Sequence, residues 1–132
     1  MRRRFGAARV ARLATVSADH RPHLVPVCFA LVGDVVYTAT DHKPKRGTPL
    51  RRHANVAATG RASLLVDEYG EDWSALWWVR ADGPARIADE PAEVERAIGA
   101  LTDRYPQYAG HPPHEPVLAV TVRTWSGWSA LG

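Results

Sequence analysis

Residues 10–46 read VARLATVSADHRPHLVPVCFALVGDVVYTATDHKPKR, and this stretch decides the fold. It holds three short apolar runs, at residues 13–16, 23–31 and 35–40, rich in Val, Leu, Thr and Tyr. Runs of that length and composition predict strands. Between the first two lies the polar turn cluster Ser17-Ala18-Asp19-His20-Arg21-Pro22. Between the second and third lies Gly33-Asp34, the length of a two-residue hairpin connection. The expectation is three antiparallel strands. A basic loop follows them, with Lys43, Lys45 and Arg46 around Pro44. Charge alone also fits a solvated turn. Its place at a strand exit, just ahead of a helix start, points instead to a phosphate site, because free N–H groups at a helix start attract anions.

Outward from this stretch, residues 1–9 are basic and read as a frayed end or the end of a short helix. On the other side, Thr48-Pro49-Leu50 carries helix-start signals, Thr as N-cap and Pro at the first helical position. Leu50, Ala54 and Ala57 recur at helical spacing, so a short helix is expected to run to about Ala58, with Thr59-Gly60 closing it. ASLLVDEY at residues 62–69 predicts a fourth strand. A fifth is expected over residues 74–81, continuing past Asp82-Gly83-Pro84 through Arg86-Ile87, with a bulge or bend at the Gly-Pro. After Asp89-Glu90-Pro91, the residues Val94, Ala97, Ile98, Leu101 and Tyr105 share one helical face. Asp89, Glu90 and Glu93 fall in or beside its first turn, where the helix dipole favours acids. Residues 106–116 read as a proline-rich loop, and residues 117–125 as a sixth and last strand. Strand runs joined by tight turns, with two helices between them, give a mainly β, α+β class and an antiparallel barrel with helical plugs. A doubly wound parallel sheet does not fit, because strands and helices do not alternate.

At 132 residues the chain is read as one domain, residues 1–132, with no linker and no internal repeat. No apolar run approaches the length of a membrane span, and no long apolar segment follows the basic N-terminus as in a signal peptide. The one cysteine, Cys28, reads as a small buried apolar residue, and a chain without an internal disulfide suits a reducing cytoplasm. Net charge is +3, which favours acidic partners only weakly. Heavy use of Arg and Ala beside two Lys is what GC-rich coding produces, so the charge means little until it is located.

The chemistry-bearing residues exclude several classes. The six histidines sit at no zinc-like spacing with Cys or carboxylate partners, so no metal site is expected. No nucleophile elbow, P-loop or Rossmann glycine motif occurs, and no catalytic side chain can be named. A barrel for single-stranded nucleic acid would interleave aromatics with basic residues on one strand face. Here the basic loop and the Trp77-Trp78 pair lie in separate segments. Adjacent strand residues point to opposite faces, so one of these two indoles is expected in the core and the other toward a groove or partner subunit; both in the core is the alternative. Trp73, Trp125 and Trp128 add further indole surface.

Three runs carry a resemblance: LATVSADHRPHLVPVCFAL, VVYTATDHKPKR and LRRHANVAATGRASLLVDEY. Together with EDWSALWWVRADGPARI and the final strand, they resemble the split β-barrel flavin and deazaflavin oxidoreductases related to pyridoxamine-5′-phosphate oxidase, most of all the actinobacterial F420-dependent branch. The likeness spans roughly residues 9–128. It implies a six-stranded antiparallel split β-barrel like the FMN-binding proteins, and a homodimer with two cofactor grooves at its interface. It implies that Val25, Pro26 and Val27 line the deazaflavin and that Thr38, Ala39 and Thr40 flank the ring and ribityl chain. Lys45 would bind the phosphate with Arg46 as helper, and Trp77 or Trp78 would close the groove from the other subunit. One departure stands out: Gly47-Thr48-Pro49-Leu50 occupies the place where the family often carries Asn-Leu. The implied activity is hydride transfer from reduced F420 to an unsaturated or conjugated small molecule. An FMN-dependent oxidoreductase of the same fold is the alternative, as is a non-catalytic F420, flavin or haem binder. Neither nucleic acid nor membrane is expected as a partner.

Overall fold

The computed structural model describes residues 1–40 and 50–131. In chain order these form α1 (Arg2–Ala7), β1 (Ala11–Val16), β2 (Pro22–Val27), β3 (Ala30–Val32), β4 (Val35–Thr40), α2 (Arg51–Thr59) and β5 (Arg61–Glu68), then β6 (Trp77–Ala88), α3 (Pro91–Arg104), β7 (His114–Thr121) and β8 (Thr124–Ser129). The described residues are mostly antiparallel β-sheet with few helices, as expected, but they form eight strands rather than six. The path runs β2-β1-β5-β6-β7-β4-β3, with β8 also paired to β6, and it does not close. No described helix is long and apolar enough to cross a membrane.

The two extra strands arise where single runs were expected. The second run divides at Cys28-Phe29. The Phe29 N–H donates to the Tyr105 hydroxyl (3.0 Å), and its carbonyl lies 2.9 Å from the same oxygen, so a side chain takes the place of a ladder partner. The last run starts earlier, at His114, and divides at Val122-Arg123. There the two N–H groups donate to the carbonyls of Asp34 and Asp82, at 2.8 and 2.9 Å. Ser74 and Ala75, expected to open the fifth strand, instead belong to a 3-10 turn over Trp73–Ala75, capped by Asp72 accepting from the Ser74 N–H. The expected helix start at Thr48-Pro49 lies outside the described residues; the described helix begins at Arg51 and ends at Thr59, with Gly60 in the left-handed region (φ +67°) that closes it.

The expected Gly33-Asp34 hairpin is present, Val32 pairing with Val35 and Gly33 at φ +60°. Strand β6 runs unbroken through Asp82-Gly83-Pro84 and changes neighbours there. Residues 77–82 pair with β8 and residues 85–88 with β7, while β5 stays on the other side from Trp77 to Pro84. Glycine is required at the change-over: a Cβ on Gly83 would lie 1.9 Å from the Thr121 carbonyl oxygen. Pro84 costs little at this point, having no N–H to pair.

The core follows from alternation. Leu13, Leu64, Val66, Val79 and Ala81 turn inward with Leu118 and Val120. Phe5 of α1 and Val56 of α2 plug the two openings, Phe5 packing on Phe29 and Trp125 with ring centroids 5.0 and 5.1 Å away. Helix α3 covers the outer face of β4 and β7 with Val94, Ala97 and Ile98 against Tyr37, Val117 and Ala119. Its anchor is buried Glu93, which accepts two bonds from the Arg86 guanidinium and one from the Tyr37 hydroxyl, all at 2.7 Å. These hydrogen bonds, Arg86 first and Tyr37 second, outweigh burial and hold its carboxyl down at about 2.

Candidate cofactor cleft

At the end of β2, where the chain passes through Cys28-Phe29, lies a cleft of about 150 Å³. Pro26 and Val27 of β2 form one wall, Thr38 and Ala39 of β4 the other. Val10, Cys28 and Arg52 complete the lining. The Cys28-Phe29 segment is held from a distance. The Tyr105 hydroxyl, at the end of α3, accepts from the Phe29 N–H, and its proton is shared between the carbonyls of Phe29 and Arg9. Arg104 donates to the Ala8 carbonyl and stacks over Phe29 with its guanidinium carbon 5.1 Å from the ring centre. The segment entering β1 and the bend leaving β2 are thus tied to one tyrosine, which fixes the position of Val10 against Cys28.

Of the residues marked by the resemblance, the structure brings four into this cleft: Pro26, Val27, Thr38 and Ala39. Val25 packs half-buried against the barrel core. Thr40 is buried, its hydroxyl donating at 3.5 Å to the Pro116 carbonyl. Lys45 and Arg46 lie outside the described residues. The tryptophan pair divides as alternation requires. Trp77 packs against the core with the Arg4 guanidinium 5.0 Å above its ring. Trp78 stands on the outer face, opposite Trp128 and Asp67, with Arg80 at 5.7 Å. Val10, Cys28 and Arg52 were not expected in the lining. For Arg52 a signal existed, since it falls in the first helical turn just after the basic loop.

The lining combines the apolar Val10, Pro26, Val27 and Ala39 with the polar residues Thr38, Cys28 and Arg52. That donor set suits a flat heteroaromatic ring bearing an anionic substituent. Its size is telling: an apolar cavity of about 150 Å³ holds a single benzene ring. A three-ring system needs walls beyond these seven residues. Val10 and Cys28 also line a wider depression of about 540 Å³ with Arg9, Tyr105 and Tyr108, so the cleft has room to continue on that side. The neighbouring His53 is buried, its Nδ1 has no hydrogen-bond partner among the described residues, and burial reinforced by the Arg52 charge lowers its pKa to about 4. It does not line the cleft. No cluster of metal-ligating side chains occurs among the described residues.

One mostly antiparallel sheet that changes neighbours along β6, with a small cleft at one end, is the class of fold that these elements define. The chain belongs to the pyridoxamine 5′-phosphate oxidase family, whose model matches residues 1–129. No curated protein matches it. Similar solved structures include the conserved hypothetical protein Rv2991 of Mycobacterium tuberculosis, with a TM-score of 0.71 and 21% identity over 96% of this chain and 80% of that one. A FAD-binding protein of Mesorhizobium loti follows at TM-score 0.67 and 20% identity, covering 93% and 85%. HutZ, the heme storage protein of Vibrio cholerae, has TM-score 0.68 and 15% identity, covering 93% and 87%. At such identities the likeness establishes the fold and leaves the chemistry to the site.

Proposed function

We propose that this chain is an F420-dependent oxidoreductase that reduces an unsaturated or conjugated small molecule, with FMN as the alternative cofactor. The observation that carries the reading is the convergence of Pro26, Val27, Thr38 and Ala39 on one cleft beside Arg52. When bound and reduced, the deazaflavin supplies a hydride from its C5. The chain's part is positioning. Pro26, Val27, Thr38 and Arg52 would hold the ring system and keep water from it. Lys45 and Arg46 would hold the phosphate. No side chain is required as a nucleophile.

The one-ring size of the cleft calls for a second wall, and a second copy of the chain supplies it. The outer face of the β2-β1-β5-β6-β8 half of the sheet exposes Leu24, Tyr69 and Trp128 beside Trp78, an apolar patch of the kind that marks an interface. In this homodimer Trp78, not the inward Trp77, closes the partner's groove. The FAD-binding neighbour keeps FMN as the alternative. A non-catalytic haem binder, suggested by the name of the Vibrio cholerae protein, finds no imidazole among the described residues that line the cleft.

The test is equilibrium titration of apoprotein with F420 and with FMN, read by tryptophan fluorescence quenching. Tight F420 binding with weak FMN binding is expected, and Lys45→Ala should weaken it about tenfold or more without lowering the melting temperature. Preference for FMN would move the chain to the flavin branch, and binding of neither would end the redox reading.

A further inference from the structure

A second cavity, of about 750 Å³, opens where β6 changes neighbours, and it shares no lining residue with the cofactor cleft. Two arginines reach it from opposite flanks of β6. Arg61 begins β5, directly opposite Pro84. Arg123 lies in the link between β7 and β8 and donates its backbone N–H to the Asp82 carbonyl. Among the described residues neither guanidinium takes part in an ion pair. The carboxylate at hand, Asp82, is already engaged: it accepts from the Ser63 hydroxyl and, at 2.8 Å, from Arg80 Nε. Two permanent positive charges therefore share one concavity without a counter-charge of their own. A guanidinium does not titrate near neutral pH, and its fork of N–H groups matches the oxygens of a carboxylate or phosphate. The same cavity is also lined by Val16 and Pro22, at the turn end of the β1–β2 hairpin. The cofactor cleft lies at the other end of β2, about 13 Å away at the usual rise of a strand.

We propose that this cavity is a second binding site, separate from the cofactor cleft, for a small organic oxyanion. Its acidic oxygens bridge Arg61 and Arg123, and its carbon body rests on Val16, Pro22 and Pro84. A phosphate monoester and a short dicarboxylate share this chemistry, and they are the two probes to use.

The experiment is calorimetric titration of the full chain with glycerol 3-phosphate and with succinate, in chloride buffer of physiological ionic strength. Saturable one-to-one binding of at least one probe is expected; which of them binds identifies the head group. Arg61→Gln and Arg123→Gln should each weaken binding about tenfold or more while the far-ultraviolet spectrum and melting temperature stay as in the parent. Arg3→Gln, an exposed charge on α1 outside this cavity, should leave the affinity unchanged. Heat that grows without saturation, or an equal loss in Arg3→Gln, would reduce the effect to general charge and overturn the proposal. So would an equal loss of affinity in Lys45→Ala, because the anion would then be entering the cofactor site.

Discussion

The two halves of the sheet, divided at Gly83, are finished differently. The β7-β4-β3 half carries α3 on its outer face. Its polar groups there are answered within the chain, Arg86 and Tyr37 by Glu93, and Phe29 and Arg9 by Tyr105. The β2-β1-β5-β6-β8 half has no helix over its outer face among the described elements, and leaves Leu24 67% exposed and Tyr69 60% exposed. The lesson is that one half is a completed packing problem and the other is a surface still able to lose apolar area to a partner. A mutation on the first should act on folding, and one on the second on assembly.

The sharpest way to break this contrast is at the boundary itself. Gly83→Ala places a methyl 1.9 Å from the Thr121 carbonyl, where backbone rather than a flexible side chain must yield. A loss of about 3 kcal/mol or more is expected, read as a lower urea midpoint. Next comes Glu93→Gln, which keeps the shape but not the charge that Arg86 meets. Its expected cost is about 2 kcal/mol at neutral pH. The sign of its pH dependence is fixed: the folded carboxyl titrates at about 2, below its ordinary 4.5. The parent therefore has this stabilisation in full above about pH 4.5 and loses it as pH falls toward 2. Glu93→Gln should lack that dependence, and melts between pH 6 and 2 would check it. Tyr105→Phe should cost about 1 kcal/mol and loosen the β2 bend, so hydrogen exchange at Phe29 should speed up and cofactor affinity fall. Smallest in stability is Leu24→Asp, on the open half. The monomer should melt within about 0.5 kcal/mol of the parent while sedimentation shows a lighter species. A homodimer that survives this change would place the interface elsewhere.

The strands and α3 were legible because their signals are local. Alternation, the Gly33-Asp34 connection and the Val94–Leu101 periodicity need no distant information. Alternation also separated Trp77 from Trp78. The breaks at Phe29 and at Val122-Arg123 were not legible, since neither holds a glycine or proline. Both are made by distant partners: a tyrosine 76 residues away takes the Phe29 backbone, and the carbonyls of Asp34 and Asp82 take the second pair. Gly83-Pro84 was read as a bulge or bend from residue type; the strand instead runs unbroken there, and the glycine answers a carbonyl that approaches too closely for any side chain. The cleft shows the same division. Pro26, Val27, Thr38 and Ala39 were marked by the family resemblance, on strands that local patterning also predicted. Val10, Cys28 and Arg52 join them only because three separate segments meet at one end of the barrel.

The change of neighbours along β6 also bears on the order in which the molecule can assemble. Trp77 pairs with Ser129, roughly fifty residues later in the chain. During synthesis the first half of β6 can pair with β5 at once, yet its other edge stays open until residues 124–129 have been made. For that interval a strand holding Trp77, Trp78 and Val79 presents unpaired backbone to whatever lies near, the situation in which nascent chains join edge to edge. Slow translation through residues 89–123, or a lesion in β8, should therefore lower the yield of soluble protein more than it lowers the stability of molecules that finish folding.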